Sequence, residues 1–146
     1  MINEKTEIEK VIEENGFYVT APKGTSMLPL IYQGHDTVII KPKGKRLDKY
    51  DVALYRRRNG EYVLHRVIYV KEDSYVFCGD NQIILEYGVT DDMILGVMTE
   101  LIHDGVTVDT TSKEYYKTVK KRVKKAKINR IKGKIKGFIK KCLGKK

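Results

Sequence analysis

The sequence predicts a mainly β protein, an antiparallel β domain of the type described below, with a short N-terminal helix and a basic C-terminal helical tail. Three observations carry this. Six β-branched or aromatic stretches between Phe17 and Ile102 are separated by turn residues. Apolar positions before and after them recur with helical spacing. From Lys113 onward the composition changes to Lys and Arg.

Asn3–Glu14 reads as an acidic helix, with Ile8, Val11 and Ile12 on one face and Gly16 as its stop. The expected strands are Phe17–Ala21, Thr37–Lys41, Val52–Arg56, Glu61–Val70, Ser74–Cys78 and Gly96–Ile102. Asn59-Gly60, between the third and fourth, predicts a hairpin with a two-residue type I′ turn, which requires positive φ twice. In the tail, Tyr115, Tyr116, Val119, Val123 and Ala126 share one helical face. Ile128, Ile131, Ile135, Phe138, Ile139 and Cys142 share another, rotated by roughly a third of a turn. The shift predicts two amphipathic segments with a break near Lys127–Arg130, the second weakened by Gly133 and Gly137. The expected organisation is therefore an N-terminal helix over residues 1–16, a β domain over 17–111 and the tail over 112–146.

The net charge of +10 is unevenly distributed. Residues 113–146 carry 16 Lys or Arg and one acid, Glu114, a net +15, whereas residues 1–112 carry 13 basic and 18 acidic residues, a net −5. Basicity belongs to the tail. No apolar run reaches the roughly 18 residues of a membrane span, and the N-terminus lacks the basic and apolar regions of a secretory signal. The expectation is a cytoplasmic protein. Cys78 and Cys142 lack metal-type spacing, and nothing in the sequence calls for a cofactor or metal.

Three segments carry candidate chemistry. In Gly24-Thr25-Ser26-Met27-Leu28-Pro29, Ser26 lies between a flexible glycine and a proline suited to the first turn of a helix. A serine hydroxyl becomes nucleophilic when a base takes its proton and donors await the oxyanion. In Tyr62–Ile68, alternation puts His65 on the face of Val63 and Val67, as a core histidine or as a partly desolvated base. Cys78-Gly79-Asp80-Asn81 is first of all a turn, and its carboxylate is also suited to hold an imidazole, as in a Ser-His-Asp triad.

Taken together and in this order, Gly-x-Ser-Met-x-Pro, Tyr-Val-x-His-Arg-Val and Gly-Asp-Asn resemble the S24/S26 peptidase clan of type I signal peptidases and self-cleaving SOS-type repressors. The histidine at position 65 resembles endoplasmic-reticulum-type signal peptidases, where many bacterial members carry lysine. Asp36–Ile40 and Asp51–Tyr55 resemble the strands that follow the serine, so the likeness covers about Gly24 to Glu100. The resemblance implies a signal-peptidase/repressor-type β fold and a serine endopeptidase cutting leader or signal-like peptides. Ser26 would be the nucleophile and His65 the general base. Asp80 would be the third member, with Asp92 as second choice. Gly24, Thr25 and Met27 would position substrate or oxyanion, and a peptide would add to the groove as an extended strand. The alternative is a non-enzymatic peptide-binding or regulatory module that retains the fold.

The chain departs from the clan's pattern at several points. Gly24 stands where some relatives have a hydroxyl residue, Tyr50 stands where a glycine usually precedes Asp51, and residues 1–23 do not read as the N-terminal membrane anchor expected of signal peptidases. His35 and His103 match no motif and read as surface loop residues, and Arg66 reads as a structural ion-pair partner. The tail suggests a substitute anchor: Ile128–Leu143 has the sidedness of a helix lying on an anionic membrane surface, at the inner face of the membrane. Nucleic acid is the weaker partner, because the tail lacks interleaved aromatics for base stacking.

Overall fold

The computed structural model describes residues 5–144. Helix α1 spans Glu7–Asn15. Thr6 caps it: its hydroxyl accepts from the Glu9 amide while the Glu9 carboxylate accepts from the Thr6 amide. Gly16 closes it with φ 79°, a left-handed conformation that favours glycine. Ile12 is the one α1 residue that is fully buried. The first residues of the expected helix, Asn3 and Glu4, lie outside the described residues.

Eight strands follow: β1 Tyr18–Thr20, β2 Asp36–Lys41, β3 Val52–Arg56, β4 Tyr62–Val70, β5 Tyr75–Cys78, β6 Glu86–Val89, β7 Ile94–His103 and β8 Val106–Asp109. They form an antiparallel sheet in the order β1-β2-β7-β3-β4-β5-β6, with β8 paired to β7. Two strands escaped the sequence reading. β6 is short and interrupted by Gly88 at φ 76°, and β8 is exposed throughout, so neither shows a buried alternating pattern.

The turns also differ from expectation. β3 and β4 form the predicted hairpin, but only Gly60 has positive φ there, at 95°. The Gly60 amide donates to the Arg57 carbonyl at 2.9 Å and the Arg57 amide to the Glu61 carbonyl at 2.8 Å. This is a three-residue loop, a turn followed by a left-handed glycine, rather than a type I′ turn. The two-residue pattern occurs instead at Asp104-Gly105, φ 47° and 76°, between paired residues His103 and Val106.

The sheet buries side chains on both faces. Ile12, Met27, Ile31, Val38, Ile40, Val52 and Leu54 belong to one cluster; Ala53, Tyr55, Val63, Val67, Tyr75 and Phe77 belong to the other. β3 supplies both by alternation, which is why four of its five residues are buried. Tyr50 occupies a left-handed conformation, φ 78°, and so sits at a glycine-type position, as the departure at that residue suggested.

Helix α2 spans Lys113–Leu143, capped by the Ser112 hydroxyl, which accepts from the Tyr115 amide. It runs without the expected break. No proline interrupts it, and the two glycines weaken a helix without ending it. The first apolar face packs on the domain: Val119 is buried, and Tyr115, Val123, Ala126 and Arg130 are half-buried along the same line. From Ile131 to Gly144 every residue is exposed. The shift of the apolar stripe thus marks where the helix stops covering the sheet. No described helix is long and apolar enough to cross a membrane.

Candidate active site

Ser26 lies in a run of turns, residues 24–30, that leaves β1 and enters no helix. No helix follows Pro29: the Leu30 and Ile31 amides both donate back to the Met27 carbonyl at 2.9 Å, closing a single turn that goes no further. Gly24, at φ 90°, turns the chain towards the serine. Met27 anchors the loop from below, 4% exposed in the core cluster with Ile12 and Ile31.

The Gly-Asp-Asn turn holds this loop from the other side. The Asn81 amide donates to the Ser26 carbonyl at 2.9 Å, and the Asn81 side chain donates to the Thr25 carbonyl at 3.1 Å. A Cβ at Gly79 would lie 2.6 Å from the Ser26 carbonyl oxygen, so only glycine permits this approach. The motif is therefore a clamp on the serine loop. Its aspartate is spent on the same task. Asp80 accepts from Arg66 Nε at 2.7 Å and from Arg66 Nη2 at 2.8 Å, a bidentate pair with side chains 13% and 2% exposed. Arg66 Nη1 donates to the Tyr50 carbonyl at 2.7 Å. The expected ion-pair role of Arg66 is what the structure holds.

His65 sits on β4 opposite Ala53, 6% exposed, with the Tyr55 ring edge-on at 6.4 Å. Burial, and then the Arg57 guanidinium, hold its pKa below the usual 6.5, while Glu86 and Asp80 oppose the shift. The imidazole is neutral near pH 7 and able to accept a proton.

Ser26 and His65 line one open cavity of about 220 Å³ together with Pro22, Gly24, Met27, Ile31 and Leu64. Thr25, an expected positioning residue, is exposed and does not line it. Gly24 does, but its amide donates to the Gln33 side chain and is not free for an oxyanion. Of the expected carboxylates neither hydrogen-bonds to His65 among the described residues. Asp80 is turned onto Arg66, which projects from β4 on the opposite face to His65. Asp92 is exposed in the single 3-10 turn Asp91–Met93, where it accepts from the Thr90 hydroxyl. The serine and the histidine line the same cavity, with no hydrogen bond between them among the described residues, and the two aspartates pair elsewhere.

Sequence reasoning missed Glu86 and Arg57. With His65, Gln82 and Leu85 they line an adjoining cavity of about 760 Å³. Glu86 accepts from the Tyr55 hydroxyl at 2.7 Å and from Arg57 Nη2 at 2.8 Å, and Arg57 also pairs with Glu61 at 2.7 Å. Burial raises the Glu86 pKa, but the Arg57 and Tyr55 hydrogen bonds outweigh it and keep the carboxylate charged. No local motif announced this network, because its members come from three different strands and loops. His103, expected in a loop, ends β7 instead, and its Nδ1 pairs with the fully buried carboxylate of Asp36.

The cleft also has an open strand edge. β5 pairs with β4 only from Arg66 to Val70, so Tyr62–His65 is bonded to β3 on one side and has no partner strand on the other. Val67 directs both its amide and its carbonyl towards Asp51 and Tyr50. Alternation then turns the amides and carbonyls of Leu64 and Tyr62 towards the open side.

No family model, no curated protein and no solved structure matches the chain.

Proposed function

We propose that the chain is a serine endopeptidase of the S24/S26 type that cleaves extended peptides by a Ser26–His65 dyad. The observation that carries this reading is the shared cavity of Ser26 and a neutral, partly desolvated His65, beside an unpaired strand edge. A peptide adds to Tyr62–His65 as an extra strand, which aligns its backbone with the serine. Met27, Ile31 and Leu64 supply the apolar part of a cavity that Lys23, Arg57 and Gln82 also line, which suits a short side chain of the peptide beside its polar backbone.

Ser26 Oγ attacks the peptide carbonyl carbon while its proton passes to His65. The new C–O bond leaves a tetrahedral oxyanion, to which the Ser26 amide donates. Collapse breaks the C–N bond, and the imidazolium returns the proton to the leaving amine. Water, deprotonated by His65, then hydrolyses the acyl ester and restores the serine. In this scheme no aspartate orients the ring. Tyr55 and the surrounding strand hold it instead, and the charge on Glu86 offsets part of the Arg57 repulsion as the imidazolium forms.

Ser26→Ala and His65→Ala should each lower peptide cleavage by about a thousandfold or more, with the circular dichroism of the parent protein, and with a lower unfolding midpoint for His65→Ala because His65 is buried. Mass spectrometry of a peptide library measures this. Full activity in either folded variant refutes the dyad. Peptide binding without cleavage by the parent protein favours the second reading, a binding module, which the lack of a hydrogen-bonded carboxylate on His65 supports.

A further inference from the structure

Beyond Arg130 every described residue of α2 is exposed, and of its second apolar stripe Ile131 alone borders an open cavity against the domain, beside Tyr50, Tyr69 and Tyr87. Ile131, Ile135, Phe138 and Leu143 are 50%, 54%, 68% and 78% exposed. Ile128 and Ile139 extend the same stripe at 45% and 50%. The flanks are basic: Lys127, Arg130, Lys132, Lys134, Lys136, Lys140 and Lys141, with no acid after Glu114. At 1.5 Å per residue the stripe from Ile128 to Leu143 is about 22 Å long.

The two faces of α2 point in different directions. The face through Tyr115, Val119, Val123 and Ala126 holds the domain. The stripe through Ile135 and Phe138 is turned away from it by roughly a third of a turn or more, with Ile131 at its edge. Ala126, Asn129, Arg130 and Gly133 border the back of the segment Asp80–Ile84. The front of Asn81–Glu86 is a wall of the cavity that contains His65. One loop therefore separates the candidate cleft from the helix.

We propose that α2 is a surface anchor for an anionic lipid bilayer, seated by the stripe Ile128–Leu143 and its lysines. The domain rides on its opposite face, and the cleft is held about one helix diameter from the headgroups. Charge complementarity selects the partner: a net +15 over residues 113–146 is matched by an anionic leaflet, while the contiguous apolar stripe is matched by acyl chains and by no phosphate backbone. The position of the cleft rests on the peptidase reading; the anchoring does not.

The chain has no tryptophan, so single substitutions report on each surface. The full chain carrying Phe138→Trp should float with vesicles containing phosphatidylglycerol and shift its emission to the blue. Val106→Trp, on the β7–β8 hairpin, should float equally without a shift. Recovery should fall about tenfold or more with phosphatidylcholine alone, in 1 M NaCl, or in the Ile131→Ser/Ile135→Ser/Phe138→Ser variant. The proposal is overturned if Phe138→Trp shows no shift, if the triple variant floats like the parent, or if duplex DNA displaces the protein from vesicles while the emission stays that of an exposed indole. Cleavage of a soluble peptide without vesicles tests the peptidase separately, and its failure leaves the flotation result standing.

Discussion

Burial and the Arg57 guanidinium both disfavour a charge on His65, so its folded pKa lies below the ordinary 6.5. A base must be neutral to accept the Ser26 proton. The acid limb of kcat/KM should therefore have its midpoint below pH 6.5, and a midpoint above 8 would point to a different base. Because the folded state binds this proton less readily than the unfolded chain, stability contributed at this site is present above pH 6.5 and declines as the pH falls below it. Asp80 supports a second prediction. Asp80→Asn leaves the buried Arg66 cation without its anion and should cost about 3–5 kcal/mol in denaturant unfolding. The acid midpoint of the pH profile should move slightly lower, because the Asp80 charge opposes the lowering of the His65 pKa. A stable variant with a rate lowered about ten-thousandfold would restore Asp80 to a triad. That Ser26 and His65 would share a cavity was legible because each sits in a recognisable segment. The Asp80–Arg66 contact was not, because sequence order does not show which of two neighbouring strand residues, His65 or Arg66, a turn carboxylate meets.

At the scale of elements, β4 connects the two halves of the site: His65 faces the cavity and Arg66 anchors the Gly-Asp-Asn turn that clamps the serine loop. Gly79→Ala tests this coupling. Its new methyl would crowd the Ser26 carbonyl oxygen, costing about 1–3 kcal/mol in stability. Displacing the nucleophile by about 1 Å should lower cleavage about a hundredfold. An active, fully stable variant would show that the turn and loop move independently. Most strands were readable from their β-branched alternation, and the exceptions have physical causes. β6 and β8 have little buried surface, and the turn at Asn59 was misread because dipeptide chemistry does not fix loop length. α2 was legible as two stripes, but a rotated stripe fits a broken helix and a continuous one with two partners equally well. Only packing against the sheet decides between them.

On the scale of the whole molecule, an acidic folded domain carries a basic helix whose root packs on it and whose outer half is exposed. Ending the chain at Lys134 removes a segment whose described residues, 135–144, are all exposed, and should leave the thermal unfolding midpoint within about 2 °C of the parent. Ending it before Tyr115 should lower the midpoint clearly, because Tyr115 and Val119 pack on the sheet and the Tyr115 hydroxyl meets Arg66 at 3.4 Å. Equal midpoints for the two truncations would show that the helix root contributes nothing.

On the peptidase reading, the unpaired side of Tyr62–His65 would also limit which peptides can be held. Only Leu64 and Tyr62 offer main-chain groups there, so a guest chain is gripped at every second residue. N-methylation or proline at a gripped position removes a bond, whereas the same change one residue along costs none. Resistance to cutting would therefore alternate with a period of two along a scanned peptide.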